Sequence, residues 1–336
     1  MRSLACAPAL DLGDGAAMGA ASMTEVENMK GKQSGSRTDI YARITEKIVA
    51  DLEKGVRPWV QPWRVGDASG RITRPLRHNG EAYTGVNVLL LWSEGVARGF
   101  SSPTWMTLRQ ANELGAHVRK GESGATVVYA SRFKKTETDA SGGEVEREIP
   151  FLKAYTVFNC EQIDGLPDHC DRRPEPAGSP VERIEHADRF FANTGAEIRH
   201  GGSKAYYSPV GDFIQMPVLA DFRDAASYVA VMSHESVHWT ARPDRVGRDL
   251  SRYSTDKTAR CKEELVAELG SCFLCADLGV VPELEPRPDH ASYLQSWLTV
   301  IQNDQRAIFA AAAHAQRAVD YLHALQPKAE TERQAA

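Results

Sequence analysis

The spacing of two histidines in the C-terminal half constrains the fold more than any other feature of this sequence. His234 and His238 are four residues apart, and Glu235 follows the first of them. Residues four apart share one face of an α-helix, so a helix here would aim both imidazoles at one point. Two imidazoles suit zinc, and a neighbouring glutamate suits a general base. The segment therefore predicts a helix with one zinc ion per chain, bound by His234 and His238, and with Glu235 as the catalytic base of a metallopeptidase-type site.

The third ligand is expected from the next predicted helix. Glu264 and Glu268 are four residues apart there, so one can bind the metal while the other orients a histidine. We expect Glu264 to be the ligand and Glu268 to orient a histidine. Asp244 and Glu268 are the alternative ligands. A ligand at Asp244 would need a tight turn after His238, normally supplied by glycine, and Ala241 stands at that position.

A later predicted helix, which begins at His290, carries two further catalytic candidates. His290 and Tyr293 lie three residues apart at its start. Both side chains are hydrogen-bond donors, and a site of this type needs donors that stabilise a developing oxyanion. We therefore expect His290 and Tyr293 to act in catalysis.

Length and composition are those of a protein with two folded parts. The 336 residues are 42% hydrophobic and 25% charged, which is typical of globular chains. No apolar run approaches the roughly 18 residues of a membrane span. Six irregularly spaced cysteines favour a reducing compartment. We therefore expect a cytoplasmic protein with no membrane partner.

Charge is unevenly distributed along the chain. Thr38 to Thr136 holds 15 lysines and arginines against 9 acidic residues, a net charge of +6, which leaves −11 for the remainder of a chain whose total is −5. Four of the six tryptophans lie in the same basic part. Sequence-tolerant single-strand binders stack bases on aromatic rings while cations follow the phosphates, so we expect single-stranded DNA as a partner. The residues expected to contact DNA are Arg57, Trp59, Trp63, Arg64, Arg74, Arg77, Arg119 and Lys120.

Proline and charge without periodicity indicate a linker between Asp164 and Pro180. The pattern as a whole predicts an α+β fold with two domains, the second of them mainly helical with a short antiparallel sheet formed by Ala205 to Met216. The predicted parts are a disordered leader (1–37), a small mixed α+β DNA-binding domain (38–164), a linker (165–180), a metallopeptidase domain (181–326) and a disordered tail (327–336). Because few contacts are expected across such a linker, a fragment ending near Asp164 should bind DNA by itself.

Separate motifs in both parts stand in a recognisable order. Those of the N-terminal part are Ile40-Tyr41-Ala42-Arg43-Ile44-Thr45, Arg57-Pro58-Trp59-Val60-Gln61-Pro62-Trp63, Tyr83-Thr84-Gly85-Val86-Asn87, Trp105-Met106-Thr107 and Val118-Arg119-Lys120-Gly121-Glu122. Those of the C-terminal part are His234-Glu235-Ser236-Val237-His238-Trp239-Thr240, the stretch from Glu263 to Gly270, and His290-Ala291-Ser292-Tyr293-Leu294. Together, from about Asp39 to Leu325, they resemble the two domains of ArdC-type antirestriction proteins.

The resemblance implies a biological purpose that charge and spacing do not supply. It implies a single-stranded-DNA-binding domain joined to a zincin-like metallopeptidase domain, carried by conjugative plasmids and related elements, which protects incoming DNA from host restriction. One position departs from the expected pattern, because Ala241-Arg242 stands where the family is expected to show Gly-His. The resemblance therefore assigns no metal or substrate role to Arg242.

Three functions fit these expectations. The first is an antirestriction protein that binds DNA and carries a zinc peptidase-type domain. The second is a zinc protease localised on DNA that cleaves a host restriction or regulatory protein, such as a restriction-modification subunit. The third is a non-catalytic DNA-binding protein with structural zinc. Glu235 counts against the third, because a structural site needs no general base. The sequence leaves open whether the peptidase is active.

Overall fold

The computed structural model describes residues 37–55, 57–59, 73–138, 144–170, 180–280 and 288–327. Apart from Arg37 and Pro327, the predicted leader and tail lie outside these residues. Residues 171–179, most of the predicted linker, also lie outside them. Predictions that fall on these segments stay predictions.

The N-terminal part combines helices with two small sheets. In chain order its elements are α1 (Arg37–Glu53), β1 (Leu76–Arg77), α2 (Val86–Arg98), β2 (Thr104–Met106), α3 (Leu108–Glu113), β3 (His117–Val118), β4 (Ala125–Thr138), β5 (Glu144–Asn159) and β6 (Ile163–Asp164). The main sheet has the order β1-β2-β5-β4, with β4 and β5 as a long antiparallel hairpin, while β3 pairs with β6. The Asn87 side chain joins α2 to β4 through two 2.8 Å hydrogen bonds with the backbone of Val128. This is the mixed α+β arrangement that the sequence predicts.

The C-terminal part is mainly helical. Its elements are α4 (Pro180–Asn193), β7 (Glu197–His200), β8 (Tyr206–Ser208), β9 (Phe213–Met216), α5 (Ala225–Trp239), α6 (Lys257–Leu278), α7 (Pro288–Asn303) and α8 (Ala307–Ala324). The predicted antiparallel pair is β8 with β9, and β7 adds a parallel strand beside β9. Because β7 holds a single apolar residue, Ile198, its sequence has too little alternation to predict a strand. None of the helices in the described residues has the length and hydropathy of a bilayer span.

Helices α5 and α6 are well delimited by capping residues. The carboxylate of Asp224 accepts a hydrogen bond from the backbone N–H of Ser227 and so caps the start of α5. Asp256 caps α6 in the same way, through the N–H groups of Thr258 and Ala259. Gly279 ends α6 with φ 66°, a left-handed conformation that suits glycine. These caps fix where each helix begins and ends, and so fix the level of the side chains they carry.

One glycine allows α5 and α6 to cross closely. A Cβ atom added to Gly270 would lie 2.6 Å from Cγ2 of Val237, nearer than side chains pack. Beside it, the Ser271 hydroxyl donates a 2.8 Å hydrogen bond to the backbone oxygen of Ala230. The two helices therefore pack almost backbone to backbone, which brings polar side chains of α6 within reach of α5.

The two parts of the chain share one hydrophobic core, which runs from Ile44 in α1 to Leu322 in α8. Polar and aromatic residues join them as well, and we call this set the junction: Arg57, Trp59 and Arg74 with Glu268, Trp297, Asp277 and Gln316. Arg74 donates 2.7 Å hydrogen bonds to Asp277 and Gln316. The rings of Trp59 and Trp297 meet edge to face, with centroids 6.0 Å apart. The expectation that few contacts join the two parts is therefore wrong.

Candidate metal centre

Three side chains from α5 and α6 converge in the buried crossing of these helices. His234 and His238 extend from one face of α5, and their Nε2 atoms lie 3.2 Å apart. From α6, the Glu264 carboxylate lies 3.5 Å from Nε2 of His234 and 3.7 Å from Nε2 of His238. The ligand atoms of all three residues lie within 4.8 Å of one another. Each of the three residues is at most 8% exposed, so the cluster is shielded from solvent.

The chemistry of this donor set fits a divalent metal ion. Two imidazole nitrogens that face each other at 3.2 Å cannot both donate a proton to the other, so at least one lone pair faces the shared space. The carboxylate of Glu264 faces the same space. Two histidines and a carboxylate leave a fourth position open, the ligand count of a catalytic zinc site. The residues present therefore fit the group that the sequence predicts.

Glu263 and Arg248 hold His238 in place. Nδ1 of His238 lies 3.0 Å from Glu263, which leaves Nε2 directed at the other two ligands. The guanidinium of Arg248 donates to both oxygens of this carboxylate, at 2.8 and 3.0 Å, and also donates to the backbone oxygen of Val237. Neither residue was predicted. Glu263 lies beside the predicted Glu264, whereas Arg248 lies in a loop without periodicity, and no pattern in the sequence indicates it.

The acid that contacts His238 is Glu263 and not Glu268, the residue predicted to orient a histidine. The helices run antiparallel, since His238 contacts Glu263 and Ser233 contacts Cys275. The start of α6 is therefore level with the end of α5, and Glu263 is the acid level with His238. Glu268 lies more than one turn farther along α6, where its carboxylate is 3.3 Å from Arg57 of the junction. Spacing within α6 predicts which residues share a face, but not the level at which another helix crosses it.

The charges of the cluster perturb one another strongly. Burial by itself lowers the pKa of His238, but the hydrogen bond with Glu263 and the charge of Glu264 outweigh it and raise that pKa to about 9. Burial would raise the pKa of Glu264, yet the hydrogen bond with His234 and the charge of His238 lower it to about 2. Glu264 therefore stays ionised beside the two histidines, and an ionised carboxylate is what a bound cation requires.

Glu235 and Tyr253 complete the surroundings of the cluster. Glu235 is 6% exposed, and no hydrogen bond or ion pair joins its side chain to the residues that the structure describes. A buried carboxylate next to two potential ligands, with no donor of its own, can accept a proton. The hydroxyl of Tyr253 donates a short hydrogen bond to Glu264, and its ring lies 6.0 Å from that of His238. Tyr253 was not predicted, because it precedes α6 in a loop without a pattern.

The alternative ligands lie away from the cluster. Asp244 is 63% exposed and pairs with Arg242 at 3.1 Å. Arg242 also pairs with Asp212 in the turn between β8 and β9, so the residue that departs from the family pattern has ion-pair partners of its own. Burial raises the pKa of the nearby thiols, to about 11 for Cys261 and about 12 for Cys275. Neither thiol belongs to the group of close ligand atoms that His234, His238 and Glu264 form.

His290 and Tyr293 lie in the first two turns of α7, whose start is at Pro288. Their side chains are outside the described part of the chain, so their assignment to catalysis stays a prediction. Tyr253 is the tyrosine that the described residues place at the cluster.

An open cavity of about 540 Å³ lies on one side of Arg248. It is bounded by Tyr207 of β8 and by the loop that follows α5, including Ala241, Arg242 and Arg248. Arg248 belongs to both places, because it also binds Glu263. The cavity therefore adjoins the arginine that supports Glu263, while His234, His238 and Glu264 are not among the residues that line it.

The residues predicted to contact DNA divide into two groups, and the first is buried in the junction. Trp59 is 0% exposed, and the side chains of Arg57 and Arg74 are 11% and 6% exposed. These side chains cannot stack on bases or follow phosphates without opening the core. Their prediction as a DNA surface is therefore wrong. The physical reason is that part of the positive charge of the N-terminal part neutralises acids of the C-terminal part.

The second group is exposed or lies outside the described residues. Arg77 is 42% exposed and pairs with Glu81, and Arg119 is 44% exposed and pairs with Glu122. Lys120 is exposed as well. Trp63 and Arg64 lie outside the described residues. For all of these, contact with DNA stays a prediction.

Comparisons with known proteins extend over the same two parts. The model of the N-terminal domain of the anti-restriction factor ArdC matches residues 38–158, and that of a zincin-like metallopeptidase matches residues 185–314. The uncharacterized protein y4eC of Sinorhizobium fredii (strain NBRC 101917 / NGR234) is 45% identical over 300 residues, which are 87% of this chain and 94% of that protein. The DNA primase TraC of Escherichia coli is 36% identical over 304 residues, 86% of this chain but 27% of the primase.

Two crystal structures of the antirestriction protein ArdC from plasmid R388 have the same fold. The metal-free form superposes with a TM-score of 0.72 at 44% identity, over 85% of this chain and 97% of that one. The Mn(II)-bound form has a TM-score of 0.67 at 44% identity, over 85% and 98% of the two chains. With both domain types in order and this identity over nearly the full length of a solved member, the chain belongs to the ArdC family of antirestriction proteins.

Proposed function

We propose that this protein protects the incoming DNA of a mobile element from host restriction by binding it as a single strand, and that it holds a zinc-dependent metallopeptidase-type site. The convergence of His234, His238 and Glu264 beside the buried Glu235 carries the second part of this proposal. Family membership and the +6 charge of Thr38 to Thr136 support the first. The DNA-binding domain is assigned to residues 38–164 and the peptidase-type domain to residues 181–326.

In this proposal His234, His238 and Glu264 hold one divalent ion per chain. Two imidazoles and one carboxylate suit zinc, and the Mn(II)-bound relative supports a site that takes more than one metal. A bound metal would act as a Lewis acid that lowers the pKa of a water and polarises a carbonyl. Glu263 keeps Nε2 of His238 directed at the ligand position, and Glu235 takes the proton of the attacking water and delivers it to the leaving amine.

Metal content tests the ligand assignment. Full-length His234→Ala and Glu264→Ala should lose the metal, measured by elemental analysis and by calorimetric titration with Zn(II) and Mn(II). Asp244→Ala is the matched control, because Asp244 is exposed and paired with Arg242. If Asp244→Ala lost the metal and Glu264→Ala kept it, the third ligand would be Asp244.

Cleavage of a host protein is the second candidate function. The buried Glu235, which has no partner among the described residues, favours it, because a structural metal site needs no general base. The target would be a restriction or regulatory protein of the host, and the N-terminal domain would place the peptidase on DNA. We favour coating of the entering strand over cleavage, since many phosphate and stacking contacts occlude a strand without turnover.

Glu235→Gln separates coating from cleavage. Because the amide cannot accept a proton from the attacking water, this variant should keep metal and DNA affinity while losing hydrolysis. The measurement is plasmid transfer into restricting and non-restricting recipients, with the parent protein and with His234→Ala beside the variant. Coating predicts full protection by Glu235→Gln. Loss of protection by a variant that still binds metal and DNA would establish cleavage as the function.

A further inference from the structure

The three described tryptophans of the N-terminal part are buried and cannot stack on bases. Trp59, Trp92 and Trp105 are 0%, 6% and 2% exposed. A single-strand binder still needs exposed rings with a cation nearby. One exposed ring with a cation nearby is Tyr129 of the β4–β5 hairpin, which pairs with Lys153 and is not among the predicted DNA contacts.

The hairpin register places three aromatic residues and a lysine on one face. Tyr129 pairs with Lys153, and the adjacent same-face rungs pair Val127 with Tyr155 and Ser131 with Phe151. Directly paired residues of an antiparallel ladder project to the same side. We call Tyr129, Phe151, Lys153 and Tyr155 the aromatic face. The rings of Tyr129 and Phe151 lie 6.2 Å apart, and Nζ of Lys153 lies 5.0 Å from the centre of the Tyr155 ring.

The two faces of the hairpin differ in charge and exposure. On the aromatic face, Tyr129 is 52% exposed and Lys153 is exposed. Lys153 has no carboxylate partner among the described residues. The opposite face neutralises itself, with Arg132 paired to Glu148 at 3.2 Å and Lys134 paired to Glu146 at 2.9 Å. The aromatic face thus combines one exposed ring, Tyr129, and two half-buried rings, Phe151 and Tyr155, with a lysine that has no carboxylate partner among the described residues.

We propose that the aromatic face is the surface on which this protein stacks the bases of a single DNA strand. Tyr129 and Phe151 receive the bases, and Lys153 binds a phosphate between them. Side chains on one face of a strand repeat about every 6.6 Å, so Phe151, Lys153 and Tyr155 alternate ring and cation along β5, with Tyr129 beside Lys153 on β4, which suits the alternating bases and phosphates of an extended strand. A duplex does not fit, because its bases are stacked inside the helix and shielded from flat rings. This inference rests on the proposed DNA-binding function and names its contact surface.

The test uses the full-length protein and a fluorescein-labelled 20-mer of thymidylate, followed by anisotropy. Tyr129→Ala should weaken binding about tenfold, since stacking on an aromatic side chain is lost, whereas Tyr129→Phe keeps the ring and should stay within about twofold. Lys153→Ala should weaken binding several-fold and lower the salt slope by about 1. Arg132→Ala is its matched control, because it removes the same charge from the opposite face and should have little effect.

The possible results distinguish the aromatic face as the binding site, an effect of net charge alone, and the absence of DNA binding. If the parent binds the strand and both Tyr129→Ala and Lys153→Ala bind equally well, the aromatic face is not the site, while DNA binding itself stands. Equal losses in Lys153→Ala and Arg132→Ala would mean that only net charge matters, which also overturns the proposal. A parent that binds no strand overturns this proposal and the proposed function together. Concentration-dependent dimers that Tyr129→Ala abolishes, with DNA affinity unchanged, would assign the face to a second copy instead.

Discussion

The metal centre and the junction are both buried sets of charged groups, but they differ in whether each charged group has a partner among the described residues. In the junction, the two terminal guanidinium nitrogens of Arg74 meet Gln316 and Asp277, so the positive charge has an acidic partner within the chain, although Nε of Arg74 has no hydrogen-bond partner among the described residues. In the metal centre, Glu263 is matched by Arg248, yet Glu235 has no partner among the described residues. The Nδ1 atom of His234 is also buried, and it has no hydrogen-bond partner among the described residues.

This difference separates a stabilising role from a functional one. Buried charges with partners hold two parts of a chain together, and removing one partner leaves the other unsolvated. Buried donors and acceptors without partners cost stability, and they persist where a ligand or a reaction requires them. The junction is therefore expected to govern folding, and the metal centre to govern function with less effect on stability. Four predictions test this comparison, from the largest expected effect to the smallest.

A fragment of residues 38–164 should fail to fold alone. Cutting the chain there would expose Trp59 and Arg74 and remove the C-terminal side of the core. We expect complete loss of a cooperative thermal transition, measured by circular dichroism against the full-length chain. This replaces the expectation from sequence that such a fragment binds DNA by itself. A fragment with cooperative melting and dispersed amide resonances would show that the junction is dispensable.

Arg74→Ala should destabilise the full chain by about 2 to 3 kcal/mol, because it leaves the partly buried Asp277 without its arginine. The contact of Asp277 with His323 keeps the cost below that of a fully isolated charge. The measurement is the urea midpoint and slope. Arg77→Ala is the control, since Arg77 makes an exposed pair with Glu81, and it should change stability by less than about 0.5 kcal/mol. Equal effects of the two substitutions would contradict a stabilising junction.

Gly270→Ala should cost about 1 to 3 kcal/mol, since the added Cβ would lie 2.6 Å from Val237 and force α5 and α6 apart. It should also weaken metal binding about tenfold, because the ligands sit on both helices. Gly95→Ala in α2 is the control, as its Cβ meets only Trp105 at 4.0 Å, and it should be neutral or stabilise by up to about 1 kcal/mol. Adding Val237→Ala should restore part of the metal affinity; no rescue would mean that Gly270 acts in another way.

Asp212→Asn should show a small, pH-dependent effect. Burial would raise the pKa of Asp212, but hydrogen bonds from Arg245 and Tyr207 lower it below 3.8. A lowered folded-state pKa adds stability above the unfolded-state value, near 4, and this stability is lost as the pH falls through the folded value. The parent should therefore exceed the variant by about 1 kcal/mol at pH 7, and the difference should disappear once the pH has fallen below the folded-state pKa of Asp212. Asparagine tolerates the positive φ of 53° at this position, so only the charge changes. A difference that persisted in acid would point to backbone strain instead.

The sequence predicts local geometry better than exposure. The four-residue spacing of His234 and His238 is enough to put both rings on one side of α5, because helix geometry is set by the backbone. The choice between Glu263 and Glu268 depends on where α6 crosses α5, and the contact of Gly270 with Val237 sets that level. Such a contact has no signal within either helix alone.

The N-terminal part shows that composition does not predict which residues are exposed. Tryptophan content and positive charge predict an aromatic, basic surface, but the same composition serves equally well to seal an interface within the chain. Trp59 and Arg74 face the C-terminal part, and their partners Trp297 and Asp277 lie more than 200 positions away in the sequence. That long-range packing decides which residues remain exposed. No pattern in the sequence around Tyr129 therefore indicates that its ring is exposed.

The shared core also bears on whether the coding sequence of one part can be transferred between genomes without that of the other part. Recombination that transferred only one half would deliver a piece with Trp59 or Trp297 facing water, and the recipient gene would encode an aggregation-prone product. Inheritance of the whole segment avoids this. The long DNA primases of Escherichia coli match the present chain over 86% and 90% of its residues, while it accounts for only 27% and 21% of theirs. The two parts would thus be expected to be inherited together, in short proteins and in long ones alike.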